Sequence, residues 1–203
     1  MKQFYLEKEE ILKNLELINE ELKTLDMHGE ILITGGASMC LVFSARSATK
    51  DIDAIYEPKS VINDIAAKIA LQRGMPKSWL NDSVKGFINA KAYEKKMLIK
   101  NYSNLKLYSV IPEYLLAMKL MASRMDSETD KKDIIFLMKY LGIDTSEKAN
   151  QLIESAFKAE FILPKTRYVI EECLEEILEE KENNDQVETN TEVDLEDGEE
   201  WER

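Results

Sequence analysis

The chain has 203 residues, of which 44% are hydrophobic and 33% charged. That composition suits one ordinary domain, or a core with a helical extension, and excludes wholesale disorder. The net charge of −12 is uneven: residues 171–203 hold sixteen of the 39 acids and two of the 27 bases, so they carry −14 and the rest +2. The near-neutral remainder leaves nucleic-acid binding open, without making the chain a strongly basic domain.

Further classes fall on inspection. No apolar run approaches the roughly 20 residues needed to cross a bilayer. The opening MKQFYLEKEEILKNL has acids where a signal peptide is apolar. Cys40 and Cys173 lie far apart, so a disulfide scaffold is not expected and a reducing cytoplasm is the default. One histidine, His28, argues against a His-rich zinc site or a Ser-His-Asp triad.

In chain order, residues 1–27 read as a helix, with Ile11, Leu12, Leu15, Ile18, Leu22 and Leu25 at three- and four-residue spacing. Gly29 is expected to cap its end. Ile31 to Thr34 reads as a buried strand stopped by Gly35-Gly36, and Ala37 to Ala45 as a short apolar helix. A polar link from Arg46 to Lys50 leads into the alternating run Asp51 to Tyr56, a second strand. A helix follows Pro58 and closes at Gly74. Residues 75–95 read as irregular or briefly helical. Met97–Lys100 and Leu105–Ile111 form a hairpin around a polar turn. Helices are expected over 113–124 and 128–141, from about Thr145, and from Pro164 to about Lys181. Residues 182–203 hold ten acids and few apolar groups, and are expected to be mobile.

The fold class is therefore α+β: a small mixed sheet with helices on one face, then a helical region, then an acidic disordered tail. The expected division is 1–142 for the core with its first helix, 143–181 for the C-terminal helices, and 182–203 for the tail.

Asp51 and Asp53 are the first chemical signal. Strand positions i and i+2 share a face, which sets two carboxylates about 7 Å apart at the backbone. Their repulsion raises a pKa unless a cation lies between them. Oxygen ligands without His or Cys favour Mg²⁺, which binds carboxylates together with substrate phosphates. Taken alone, Asp-x-Asp more often describes a solvent-facing strand edge. Gly35-Gly36-Ala37-Ser38 is the second signal: glycines permit close approach of backbone N–H groups, and a helix start attracts anions. The P-loop and Rossmann patterns are both absent. Lys85, Lys91, Lys95, Lys96, Lys100 and Lys106 face one acid, Glu94, over 83–106. Such a stretch can contact RNA phosphates, or be a solvated hairpin face.

The order strand, Gly-Gly-x-Ser, short helix, Asp-x-Asp resembles the DNA polymerase β-like nucleotidyltransferase superfamily. Pro112–Leu120, Arg124 and Asp130-Lys131-Lys132-Asp133-Ile134 are similar to the helical segment of its minimal bacterial AbiEii/MenT-like, toxin-type branch. Trp79-Leu80-Asn81-Asp82 resembles a Trp-Leu-Asn element of small relatives. The resemblance implies an enzyme of this kind: acids holding Mg²⁺ against a nucleoside triphosphate, the glycine turn holding phosphates, and pyrophosphate leaving. By carry-over Asp51 and Asp53 are metal-binding and catalytic. Gly35, Gly36, Ser38 and Lys119 bind nucleotide. Asp130, rather than Asp133, completes the acids or acts as base. The implied acceptor is RNA, tRNA above all, and the implied protein partner a cognate antitoxin. The candidate strand for a third acid, Leu105–Val110, has none. The alternative is a catalytically degenerate module of the same fold, acting as a regulatory or antitoxin-like binding partner.

Overall fold

The computed structural model describes the backbone of residues 4–124 and 127–196, with side chains to residue 183. Its elements are β1 (Leu6–Glu7), α1 (Lys8–Thr24), β2 (Gly29–Ile33), α2 (Gly35–Leu41), β3 (Ala48–Thr49), β4 (Ile52–Glu57) and α3 (Lys59–Arg73). Then come β5 (Leu80–Asn81), α4 (Ala90–Glu94), β6 (Met97–Asn101), β7 (Leu105–Ser109) and α5 (Pro112–Ala122). The last are α6 (Glu128–Leu141), α7 (Ser146–Ala156) and α8 (Pro164–Glu196). The α+β class read from the sequence is the class observed. Two compact units divide at Lys119/Leu120, inside α5 and upstream of the boundary expected near residue 142.

The first unit is built on a five-stranded mixed sheet in the order β5-β4-β2-β7-β6. β2 runs antiparallel to β4 and parallel to β7. β6 and β7 form the expected hairpin, with an irregularity in β6 between Leu98 and Lys100. One sheet face carries Ile31, Ile33, Ile52, Ala54, Tyr56, Leu105 and Leu107, all in the buried core. Ile11, Leu15, Ile18 and Leu22 of α1, and Ile62, Ile65 and Ile69 of α3, belong to the same cluster. Burying side chains of this size stabilises by roughly 1.5–3 kcal/mol each, which is why the apolar period dictates this layer.

Several local expectations change. The N-terminal segment is not helical throughout: Leu6–Glu7 pair with Ala48–Thr49 as a two-stranded ribbon, and Leu6 is buried. Leu25 is exposed just past the end of α1, so it does not extend the apolar stripe. Gly29 is no cap. It lies in β2, where a Cβ would come within 3.0 Å of Leu22 Cδ1 and 3.2 Å of the Glu57 carbonyl. α2 begins at Gly35, so the glycine pair is its first turn rather than a loop before it. The stretch around Trp79 contains β5, two residues parallel to β4. It was illegible because two residues carry no period. Trp79 anchors it, fully buried and donating from Nε1 to the Ala66 carbonyl at 3.0 Å.

The second unit is helical. α8 packs on α6 and α7. Lys131 of α6 reaches Glu172 at 2.8 Å and Glu176 at 2.7 Å on α8, and these carboxylates push its pKa up. α6 starts on Ser127, whose hydroxyl accepts the Asp130 N–H, and ends at Gly142 with φ of +65°. α8 continues to Glu196, beyond the point where the apolar period stops near Lys181. Residues 197–203 of the expected tail lie outside the described residues.

Candidate active site

The site lies where β4 begins. Ile52, Ala54 and Tyr56 point into the core, so Asp53 and Ile55 take the opposite face. Asp51 precedes the strand and is half-buried, as is Asp53. Burial, the larger cause, raises the pKa of both. The Asp51 charge raises that of Asp53 further.

Three polar partners oppose that repulsion. Asn81 Nδ2 donates to Asp51 Oδ2 at 3.2 Å, and the same amide lowers the Asp53 pKa. Asn81 stands beside Asp53 because β5 pairs with β4 in register Asp53↔Asn81. Its Oδ1 accepts the Ser83 N–H at 3.0 Å, which turns the NH₂ toward the acids. The Lys50 charge acts on Asp51 and the Lys119 charge on Asp53. Lys119 thus lies within electrostatic reach of Asp53.

The glycine turn is packed against Asp53. The Thr34 N–H donates to the Asp53 carbonyl at 2.9 Å and fixes the end of β2. Gly35 then takes φ of +58°, and a Cβ there would sit 3.0 Å from Asp53 Oδ2. A Cβ on Gly36 would overlap the Thr49 hydroxyl and lie 3.1 Å from Arg46 Nη1. The structure therefore brings a guanidinium to the turn. Ser38 is fully buried, and its hydroxyl shares a hydrogen bond with Ser109 Oγ at 2.9 Å. Its partner here is the core end of β7.

Asp130 belongs to the second unit. It lies in the first turn of α6, where Arg124 Nε donates to its carboxylate at 3.2 Å. Asp133, on the same helix, is buried. Among the described residues no group of three or more His, Cys, Asp or Glu side chains is placed to hold a metal. Of the lysine stretch, Lys96 pairs with Glu30 at 2.8 Å and lies over the Tyr108 ring, and Lys100 lies over Tyr102. Lys85 lines a cavity of about 250 Å³ beside β4. A larger cavity of about 490 Å³, lined by His28, Glu30, Tyr102 and Lys106, opens at the start of β2, the end remote from the glycine turn.

Sequence reasoning missed Asn81, Arg46 and Thr49. The Trp-Leu-Asn element was the signal for Asn81. Arg46 and Thr49 are a polar link with no pattern, brought to the turn by the β1–β3 ribbon.

Residues 13–168 match the model of a family described as a nucleotidyltransferase of unknown function, DUF6036. The chain belongs to that family. The match spans the glycine turn, the acid pair, Asn81, Lys119 and Asp130, so all these positions lie inside the nucleotidyltransferase region. No curated protein matches the chain. Among solved structures it is similar to an antigenic nucleotidyltransferase-like protein from Paracoccidioides brasiliensis, at 15% identity and a TM-score of 0.45, over 85% of this chain and 95% of that one. No helix among the described residues is long and apolar enough to cross a membrane.

Proposed function

We propose that the protein is a Mg²⁺-dependent nucleotidyltransferase that moves a nucleoside monophosphate from a triphosphate to an acceptor hydroxyl. The observation that carries this is the pair Asp51 and Asp53, whose carboxyls are held half-buried with raised pKa values beside a glycine turn. Two half-buried carboxylates are hard oxygen donors of the kind Mg²⁺ takes together with phosphate oxygens, so the residues present fit that ion. Mg²⁺ held there would supply positive charge to the attacking and leaving oxygens.

The chain's own groups have the remaining roles. Arg46, beside Gly36, and Lys119, whose charge acts on Asp53, offer positive charge to a triphosphate. Asn81 holds the carboxylates in place through its NH₂ group. The acceptor oxygen bonds to the α-phosphorus, the bond to pyrophosphate breaks, and the hydroxyl proton leaves to a base. Ser38 supports the turn from within the core. The resemblance gives Asp130 a part as base or third acid, which Asp130→Asn tests separately. RNA, tRNA above all, is the proposed acceptor, with a cognate antitoxin as protein partner. Lys91 and Lys95, both exposed, supply phosphate contacts.

The test is calorimetric titration of each of four nucleoside triphosphates, with and without Mg²⁺, followed by radiolabel transfer to total RNA. Metal-dependent binding, lost in Asp51→Asn and Asp53→Asn, is the expected result. A well-folded protein that binds none of the four overturns the reading. The lack of a three-ligand cluster among the described residues favours a second reading, a degenerate module that binds a protein partner. That reading fails if the isolated chain transfers nucleotide.

A further inference from the structure

The face of β4 that carries Asp53 continues into the smaller cavity. Side chains two apart on a strand share a face, so Ile55 follows Asp53 about 7 Å along. Ile55 is one wall of that cavity of about 250 Å³, and Lys59, Asp82, Lys85, Ile88 and Tyr93 are others. A second path joins it to the acids: Asn81, bonded to Asp51, is followed directly by Asp82.

The walls are held. Lys59 Nζ pairs with the Asp82 carboxylate. Tyr114 of α5 donates its hydroxyl proton to the Phe87 carbonyl at 2.8 Å and accepts the Asn89 N–H at 3.3 Å. These bonds fix the segment that carries Ile88. Asn89 in turn caps α4, which carries Tyr93. Tyr93 is 45% exposed, so it is an accessible residue and not a core one.

The acids thus lie between two unlike ends. Toward the start of β4 are Gly36, Thr49 and the Arg46 guanidinium. Toward its end are Ile55, Ile88 and the Tyr93 ring, bordered by the charged side chains of Glu57, Lys59, Asp82 and Lys85. A nucleoside triphosphate has the same polarity, with anionic oxygens at one end and a flat, weakly polar ring at the other. If its α-phosphate lies at the acids and its outer phosphates at Arg46, its nucleoside leaves toward Ile55.

We propose that this cavity is the donor's nucleoside subsite, taking the base of the triphosphate against Tyr93, Ile55 and Ile88. The proposal rests on the nucleotidyltransferase reading and adds where the donor's base goes. The volume is below the roughly 300–1,000 Å³ of pockets that enclose a whole drug-sized ligand, so it admits one ring system and leaves the phosphates outside. Asp82 and Lys85 supply an acceptor and a donor for the base edge, which makes the cavity the place where one base is preferred over another.

Inorganic tripolyphosphate separates the two claims, since it has the phosphates and no base. With Mg²⁺ present, binding of tripolyphosphate and of ATP, GTP, CTP and UTP is measured for the wild type, Tyr93→Ala and the cavity-filling Ile88→Trp. Melting curves check that both variants fold. The expected result is that each variant weakens the preferred triphosphate by about tenfold, the loss of one base–aromatic contact. Tripolyphosphate should stay within about twofold of wild type, since the substituted side chains touch none of its oxygens. Wild-type triphosphate affinity in both variants overturns the subsite and leaves the enzyme reading standing. Parallel loss of tripolyphosphate also overturns it, since the substitution then acts on the phosphate end. A raised acceptor KM with unchanged triphosphate affinity would assign the cavity to the acceptor and overturn the proposal. If the wild type binds neither triphosphates nor tripolyphosphate, the nucleotidyltransferase reading fails and the subsite with it.

Discussion

Gly35 and Asp53 are built against each other: Gly35 holds φ of +58°, and the place of its absent Cβ is 3.0 Å from Asp53 Oδ2. A side chain at Gly35 is strained by the left-handed backbone, at about 1–2 kcal/mol. It also drives the carboxylate from its position beside Asn81. Gly35→Ala should therefore lower stability by about that amount and reduce nucleotide transfer by more than tenfold, since a displacement of about 1 Å can cost two orders of magnitude. Urea melts and initial transfer rates measure the two effects. Transfer at the wild-type rate in a destabilised variant would show that the contact is only structural.

Asp53→Asn should separate stability from activity. Its carboxyl pKa is raised by burial and then by Asp51, so the folded state binds this proton more tightly than the unfolded chain. Stability tied to this group is therefore highest below the raised pKa and falls as pH rises through it. In metal-free buffer at pH 7 the variant should be more stable than the wild type by up to about 1 kcal/mol, the scale of a relieved like-charge contact. The gain should shrink as acidification protonates Asp53 in the folded wild type, and transfer should be lost at every pH. A destabilised Asp53→Asn would mean that Asn81 and Lys119 more than offset the repulsion.

Asn81 shows what a short element can do. Its amide is oriented by Ser83 and aimed at Asp51 by a two-residue strand. Asn81→Ala removes the donor and frees both carboxylates to turn away, so transfer should fall by about tenfold to a hundredfold, the range seen when supporting partners of metal ligands are lost. Asn81→Asp adds a third negative charge at the same place. It should lower the melting temperature in chelator and recover more of it than the wild type does on addition of Mg²⁺. A thermal melt with and without Mg²⁺ reads this directly.

The legible parts were those with a period or a chemical pattern. α1 and α3 follow from apolar spacing, the β6–β7 hairpin from a polar turn between alternating runs, and the starts of α6 and α7 near Glu128 and Thr145 from the return of the 3.6 period. Asp53 followed from the alternation of β4, and Asp51 from its place just before that strand. The illegible parts depend on chain segments that meet only in three dimensions. Nothing local shows that Leu6 and Glu7 leave the helical pattern to pair with Ala48 and Thr49, yet that pairing sets Thr49 and Arg46 beside Gly36. The resemblance implies that Ser38 binds nucleotide. That its hydroxyl meets Ser109 depends on β7 lying parallel to β2, a register no sequence pattern announces.

Both cysteines should be silent in the native protein. Cys173 is buried on α8, where desolvation pushes its thiol up to about 12. Thiol reagents attack the thiolate, and at pH 8 such a group is ionised in only about one molecule in ten thousand. Cys40 is buried in α2. An aromatic disulfide reagent at pH 8 should therefore label neither thiol quickly in buffer, and both at once in denaturant. The interval between those limits is informative, because each thiol reports its own unit. Cys40 opens with α2 and the first unit, and Cys173 with the α6–α8 packing of the second. Lys131→Met removes the ion pairs to Glu172 and Glu176, so it should accelerate labelling of Cys173 and leave Cys40 unchanged. Equal acceleration at both positions would show that the two units open together and that the division at Lys119/Leu120 has no thermodynamic counterpart.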